Sequence, residues 1–176
     1  HAPFPFGLYG VARPCWRQCA KVENKPKASA IRAILRTRPD ATAVARLSAD
    51  PHYNATMRTT CIATRLNAGH ANNALPQSAQ AIVNCRILPG HSAEEVRQQL
   101  IRTFADSKIA VRFVDPATGE AVDRAPDKQT FPPVAPPPDI LTPLKRVADE
   151  TWLGVPVVPD MENGASDALH PLPGRS

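Results

Sequence analysis

Gly69, His70, Asn72, Asn73 and Pro76 crowd into one short polar stretch, and Arg86 follows on an alternating segment soon after it. Each of these side chains has a chemistry. The planar guanidinium of Arg86 offers two parallel donors to the two oxygens of a carboxylate. The amide of Asn73 both donates and accepts, which suits a substrate amide. The imidazole of His70 can donate or accept a proton or a hydrogen bond. Each also has an ordinary structural reading: a solvated arginine on a sheet, an asparagine in a turn, a histidine that stabilises a loop.

The elements that must position these residues are two strands and the loop between them. From Ala79 to Ile87 the odd positions are Ala79, Ala81, Val83, Cys85 and Ile87, whereas Gln80, Asn84 and Arg86 fall on even ones. That is the period of a half-buried strand, and it puts Arg86 on the less apolar face. A strand from about Thr56 to Asn67 precedes the loop. Ser92 and Glu95 form a capping box, and Val96, Leu100 and Phe104 recur every fourth residue, so a helix runs from Ser92 to about Asp106. Ile109, Val111 and Phe113 alternate as a third strand. Strand, strand, helix, strand predicts an α+β fold, part of a split β-α-β sandwich whose antiparallel sheet carries helices on one face. Its best ordered part is expected between Thr56 and Val114, whereas the segments before Ala28 and from Pro116 to Pro138 are expected to lack a stable fold.

Upstream, Ile31, Ile34 and Leu35 share a helical face, and Asp40 offers an N-cap for a second short helix through Val44 and Leu47. Twenty prolines are more than twice the usual share, and seven lie between Pro116 and Pro138, which predicts a linker at 116–138. Beyond it, a helix is expected to start at Thr142-Pro143 with Leu144, Val147 and Ala148 inward. Val155 to Val158 reads as a short buried strand and 164–167 as the loop after it.

The net charge of +5 is scattered along the chain, which reads as solvated surface. The strands between Thr56 and Leu88 offer no aromatic platform, which argues against a nucleic-acid partner. The chain has no run of about 18 apolar residues for a membrane span. Of the four cysteines, Cys15 and Cys19 can share a helix face, without a second pair at zinc-finger spacing. Cys61 and Cys85 are expected to be buried free thiols in adjacent strands.

Gly69-His70-Ala71-Asn72-Asn73-Ala74-Leu75-Pro76 followed by Val83-Asn84-Cys85-Arg86-Ile87-Leu88-Pro89-Gly90 resembles the dimerisation, or lid, region of the zinc metallohydrolase family that includes glutamate carboxypeptidase, aminoacylase, carnosinase and succinyl-diaminopimelate desuccinylase. The first segment is similar to that family's glycine, asparagine, aliphatic, proline turn, and the second to its arginine-bearing strand. Gly164-Ala165-Ser166-Asp167 is similar to a Gly-Ala-Thr-Asp loop on the catalytic side, with Ser166 in place of threonine.

The resemblance implies a homodimer formed through the lid, and a substrate that is a small peptide or N-acyl amino acid. Arg86 would hold its carboxylate, with Asn73, His70, Ser166 and Asp167 nearby. It also implies zinc in the intact enzyme, but the family's His-x-Asp metal segment is absent here, so no metal ligand and no catalytic residue is assigned to this chain. Glu94-Glu95 sits in a helical first turn after the capping Ser92, where it compensates the helix dipole. The domain order expected is a helical and irregular connecting segment at 1–55, the lid core at 56–115, the linker at 116–138 and a catalytic-domain remnant at 139–176. A non-catalytic dimerisation or binding module is the alternative.

Overall fold

The computed structural model describes residues 4–8, 12–127 and 137–158. Within them the chain is a mixed α+β structure of six helices and two small antiparallel sheets. Four helices come first: α1 Arg13–Val22, α2 Lys25–Ile34, α3 Ala41–Ser48 and α4 Pro51–Met57. Three of them start where a short polar side chain meets an orphan backbone N–H. The Asn24 side chain accepts from the Lys27 amide at 3.1 Å, Asp40 from Ala43 at 2.7 Å and Asp50 from His52 at 3.0 Å. Pro51, at the first helical position of α4, loses no hydrogen bond there and presets the helical φ.

These helices hold the main core. Ile31, Ile34, Leu47 and Met57 are fully buried, with Trp16, Val44 and Tyr53 around them. Burial of side chains of this size contributes about 1.5–3 kcal/mol each. The Trp16 and Tyr53 rings lie 5.3 Å apart, Lys27 stands over the Tyr53 ring while bonding Asp50 at 2.8 Å, and the Tyr53 hydroxyl donates to Glu23. Burial, then the Glu23 carboxylate, pushes the Tyr53 phenol far above its ordinary value. The residues before Ala28, expected to lack a stable fold, are thus ordered from α1 onward. Helix α1 carries Trp16 and Ala20 into the core, although Ala12 gives it no side-chain cap to announce it.

Two strands follow, β1 Thr60–Ala68 and β2 Ala79–Arg86, paired antiparallel. Helix α5, Ala93–Phe104, opens with the expected capping box: Ser92 accepts from the Glu95 amide at 3.1 Å and Glu95 accepts from the Ser92 amide at 3.2 Å. The third strand does not join β1 and β2. Instead β3, Phe113–Val114, pairs with β4, Ala121–Val122, around a turn in which Gly119 takes φ +75°. Ile109 and Val111 are left in the loop before it, because the six-residue connection 115–120 supplies Phe113 with a nearer partner. The proline-rich interval therefore opens as half of a hairpin. Helix α6, Pro138–Thr151, starts four residues before Thr142 and contains Pro143; Ala148 is buried, but Leu144 and Val147 are about half exposed. Val155 to Val158 forms no strand, and Val155 is exposed.

A buried carboxylate joins the second half together. Glu94 accepts from Arg97 Nε and Nη2 at 2.9 and 2.8 Å, from Gln98 at 2.7 Å and from the Ala125 amide at 2.8 Å, while Arg97 Nη1 donates to the Val111 carbonyl at 3.0 Å. The hydrogen bonds from Arg97 and Gln98 hold the Glu94 carboxyl well below its ordinary value near 4.5. A depressed carboxylate stabilises the fold fully above that ordinary value, and its contribution is lost as pH falls further. Melting of the wild type should therefore weaken below about pH 4.5, and Glu94→Gln should lower the neutral melting temperature while flattening that acid slope. Thermal melts followed by circular dichroism from about pH 7 to pH 3 measure both; an unchanged acid slope in the variant contradicts this role.

Candidate functional site

The β1–β2 hairpin sets the position of every candidate within the described residues. At its base Thr60 pairs with Arg86, Cys61 with Cys85, Ile62 with Asn84 and Ala63 with Val83. Above Thr64 the partners become Arg65 with Ile82, Leu66 with Ala81, Asn67 with Gln80 and Ala68 with Ala79. Thr64 is thus an extra residue, a one-residue β-bulge, and its hydroxyl donates to the Ile82 carbonyl at 3.3 Å.

Opposed residues share a face, so the register sorts the hairpin into two surfaces. One carries Cys61, Ala63, Leu66, Ala68, Ala79, Ala81, Val83 and Cys85, small and apolar throughout. The other carries Thr60, Ile62, Arg65, Asn67, Gln80, Ile82, Asn84 and Arg86. Arg86 therefore does lie on the more polar face. Most of both faces is open: Leu66 is 80% exposed and Ile62 68%.

Cys61 and Cys85 are not free thiols but a disulfide, with their Cα atoms 4.1 Å apart. Directly opposed residues of an antiparallel pair come this close at the non-hydrogen-bonded positions, where side chains on one face meet. The bond ties the base of the hairpin immediately beside Arg86. A signal for it lay in the two cysteines flanking one loop on adjacent strands. Counting back from the tip pairing of Ala68 with Ala79, however, sets Cys61 opposite Arg86, and only the bulge corrects the count.

The exposed guanidinium of Arg86 has no hydrogen bond or ion pair among the described residues, and neither do the His70 and Asn73 side chains. Gly69 starts their loop at φ +80°, a conformation that favours glycine. The structure does not bring loop and arginine together. Ala79 to Arg86 is eight residues, and seven steps of about 3.3 Å put Arg86 about 23 Å from the tip. Ser166 and Asp167 lie outside the described residues.

Glu94 and Glu95 are both committed elsewhere, Glu94 to Arg97 and Glu95 to the cap and to His91 at 2.9 Å. Among the described residues no three His, Cys, Asp or Glu side chains gather as metal donors, so these residues do not make a zinc site. No helix among them is long and apolar enough to cross a membrane. A cleft of about 510 Å³ between α5 and the segment 105–112 is lined by Ile101, Ile109 and Val111, and of its charged residues Arg97 is paired with Glu94 and Arg112 with Asp123 at 2.9 Å.

A helical core followed by a projecting, disulfide-tied hairpin with open faces is an α+β module of the kind that works against another surface. Residues 23–112, about half the chain, match the peptidase dimerisation domain, and the chain belongs to that family. It is 32% identical over 102 residues to the mouse N-fatty-acyl-amino acid synthase/hydrolase PM20D1, covering 53% of this chain and 20% of that protein. The human protein of the same name is 31% identical over 108 residues, covering 57% and 22%. A probable carboxypeptidase S-like 2 from Dictyostelium discoideum is 32% identical over 75 residues, covering 40% and 14%. The chain thus spans about a fifth or less of the length of these relatives. No solved structure matches it.

An exposed, unengaged arginine is not needed for folding. Arg86→Ala should change the free energy of unfolding by no more than about 0.5 kcal/mol. Urea titration checks this; a loss above about 1.5 kcal/mol would make Arg86 a structural residue.

Proposed function

We propose that this chain is the lid and dimerisation part of a metal-dependent peptidase or amidohydrolase, and that Arg86 anchors the carboxylate of its substrate. The observation that carries the reading is a guanidinium held at the tied base of a hairpin, solvent-facing and engaged by no other side chain among the described residues. A substrate carboxylate satisfies two of its donors at once, and a charge-assisted contact of that kind is worth about 1.5–3 kcal/mol. The names of the relatives agree with such a ligand. An N-fatty-acyl amino acid and a peptide cut at its carboxyl end both present a free carboxylate close to the amide to be broken.

The hairpin's length adds a second element to the proposal. One substrate cannot touch Arg86 and Asn73 of the same chain across about 23 Å. An isologous dimer with its two-fold axis near the middle of the hairpin sets the base of one copy beside the tip of the other. Each substrate site then takes Arg86 from one chain and Asn73, with His70 beside it, from its partner. Residues 56–115 form the lid core in this reading. The segment from 139 onward belongs to the catalytic part, where Ser166 and Asp167 line the substrate pocket, and the metal ligands come from residues other than those described here.

The test uses a full-length enzyme carrying this lid. Arg86→Lys keeps the charge but loses the fork, and should lower kcat/KM at least about tenfold on substrates with a free carboxylate, about 1.4 kcal/mol, and much less on their esters. Mixing Arg86→Ala and Asn73→Ala chains should restore activity that neither has alone, because one of the two sites in the heterodimer is then intact. Equal losses on acids and esters contradict carboxylate binding; failed complementation with normal dimerisation contradicts the shared site.

A further inference from the structure

The positive charge of this chain is not spread evenly over the fold. Residues 12–48, which make α1, α2 and α3, hold nine lysines and arginines against two acids, a net +7 in a chain whose total is +5. Both acids are engaged: Glu23 accepts the Tyr53 hydroxyl, and Asp40 caps α3 at 2.7 Å. Asp50, at the start of α4, is paired with Lys27 at 2.8 Å. Most of the cations are left to solvent. Arg17 and Lys21, four apart on α1, and Lys25 and Arg32, seven apart on α2, are exposed, and exposed Arg36 follows the end of α2. We propose that this α1–α2 face docks on a membrane surface rich in anionic phospholipid.

Two hydrogen bonds bring the cations of the two helices together. Arg13 of α1 donates to the Leu35 carbonyl at the end of α2, and Arg32 of α2 donates to the Ala20 carbonyl of α1 at 2.9 Å. Each bond uses one of the five N–H donors of a guanidinium. The first sets Arg36 at the end of α1 that carries Arg13, and the second sets Arg32 at the turn that carries Lys21.

What fits this face follows from its layout. Lys25 and Arg32 are about 10 Å apart along α2, so no single small anion meets all of the cations. Trp16, the aromatic ring of α1 and α2, is buried, and a nucleic-acid base finds nothing there to stack on. A protein partner is held by apolar anchors at the centre of its footprint. Of the large apolar side chains of α1 and α2, Val22 alone is exposed, at 78%, and it stands at the edge, beside Lys21 at the end of α1. That position suits a side chain that dips between lipid headgroups. A field of phosphate and carboxylate headgroups matches scattered cations without a fixed register, each lysine or arginine adding its own attraction near the surface. The guanidinium groups take phosphate oxygens in pairs. Docking of this kind needs no helix that crosses the bilayer.

The whole chain is sedimented with vesicles of phosphatidylcholine alone and with vesicles in which phosphatidylserine makes up about a third of the lipid. We expect at least about tenfold tighter binding to the second, lost as salt rises from about 0.05 to about 0.5 M. The triple variant Arg17→Gln, Lys21→Gln, Arg36→Gln should bind at least about thirtyfold more weakly, since each basic side chain near the surface contributes about fivefold. The variant Lys108→Gln, Lys145→Gln, Arg146→Gln removes the same charge elsewhere and should lose less than about threefold. Circular dichroism melts check that both fold, and a triple variant that melts early is replaced by Arg17→Gln alone, expected to bind about fivefold more weakly. Equal binding to the two kinds of vesicle, binding to neither, or equal losses in the two triple variants overturns the proposal. So does binding of duplex DNA or polyglutamate through Arg17, Lys21 and Arg36 without binding of the vesicles, which makes the face a site for another polyanion.

Discussion

A single extra residue, Thr64, sets the geometry on which the rest of the hairpin depends. The pairing above it and the pairing below it differ by one residue, and a shift of one residue in a strand changes which face every side chain occupies. The bulge therefore puts Cys61 opposite Cys85 instead of Arg86 and allows the disulfide to close. It also keeps Leu66 on the same face as Cys61 and Ala63. These residues and the alanines of β2 thus form one continuous surface, while the period of β2 sets the arginine on the other, among Thr60, Ile62 and Asn84.

The stability of the described residues is unevenly divided. The helices α1 to α4 enclose Ile31, Ile34, Leu47 and Met57, and the starts of α2, α3 and α4 are each capped by a side chain. The hairpin has its ladder and its disulfide but little buried area, and a two-stranded hairpin of this kind is marginal without something packed on it. Membership of a dimerisation-domain family agrees with that exposure, because in the proposed dimer the open surface is what the second copy would cover. Leu88 connects the two halves, buried, with its amide bonded to the Thr59 hydroxyl at 3.0 Å.

What could be read in the sequence was what neighbours in sequence decide. The caps at Asp40 and Ser92, the period of β2 and the face of Arg86 depend on residues within a few positions, and they stand as expected. Helix α1 was missed because Ala12 carries no cap signal. Helix α4 was missed because the strand was expected to start at about Thr56, which lies inside that helix; Asp50-Pro51 serves as its start. The third strand failed for a non-local reason: Phe113 has apolar alternation around it, but its partner is Val122, not β1 or β2. The disulfide failed because a bulge cannot be seen in a periodic pattern. The loop and the arginine strand carried the family, which the match over residues 23–112 bears out, whereas Ser166 and Asp167 lie outside the described residues.

The register itself is the quantity to measure, by cross-strand nuclear Overhauser contacts between α-protons in the labelled chain. The account predicts a strong contact between Cys61 and Cys85, a close non-hydrogen-bonded pair with Cα atoms 4.1 Å apart, and a break in the ladder at Thr64. An unbroken ladder that runs from Ala68 and Ala79 down to Cys61 opposite Arg86 would contradict it. The disulfide would fall with it.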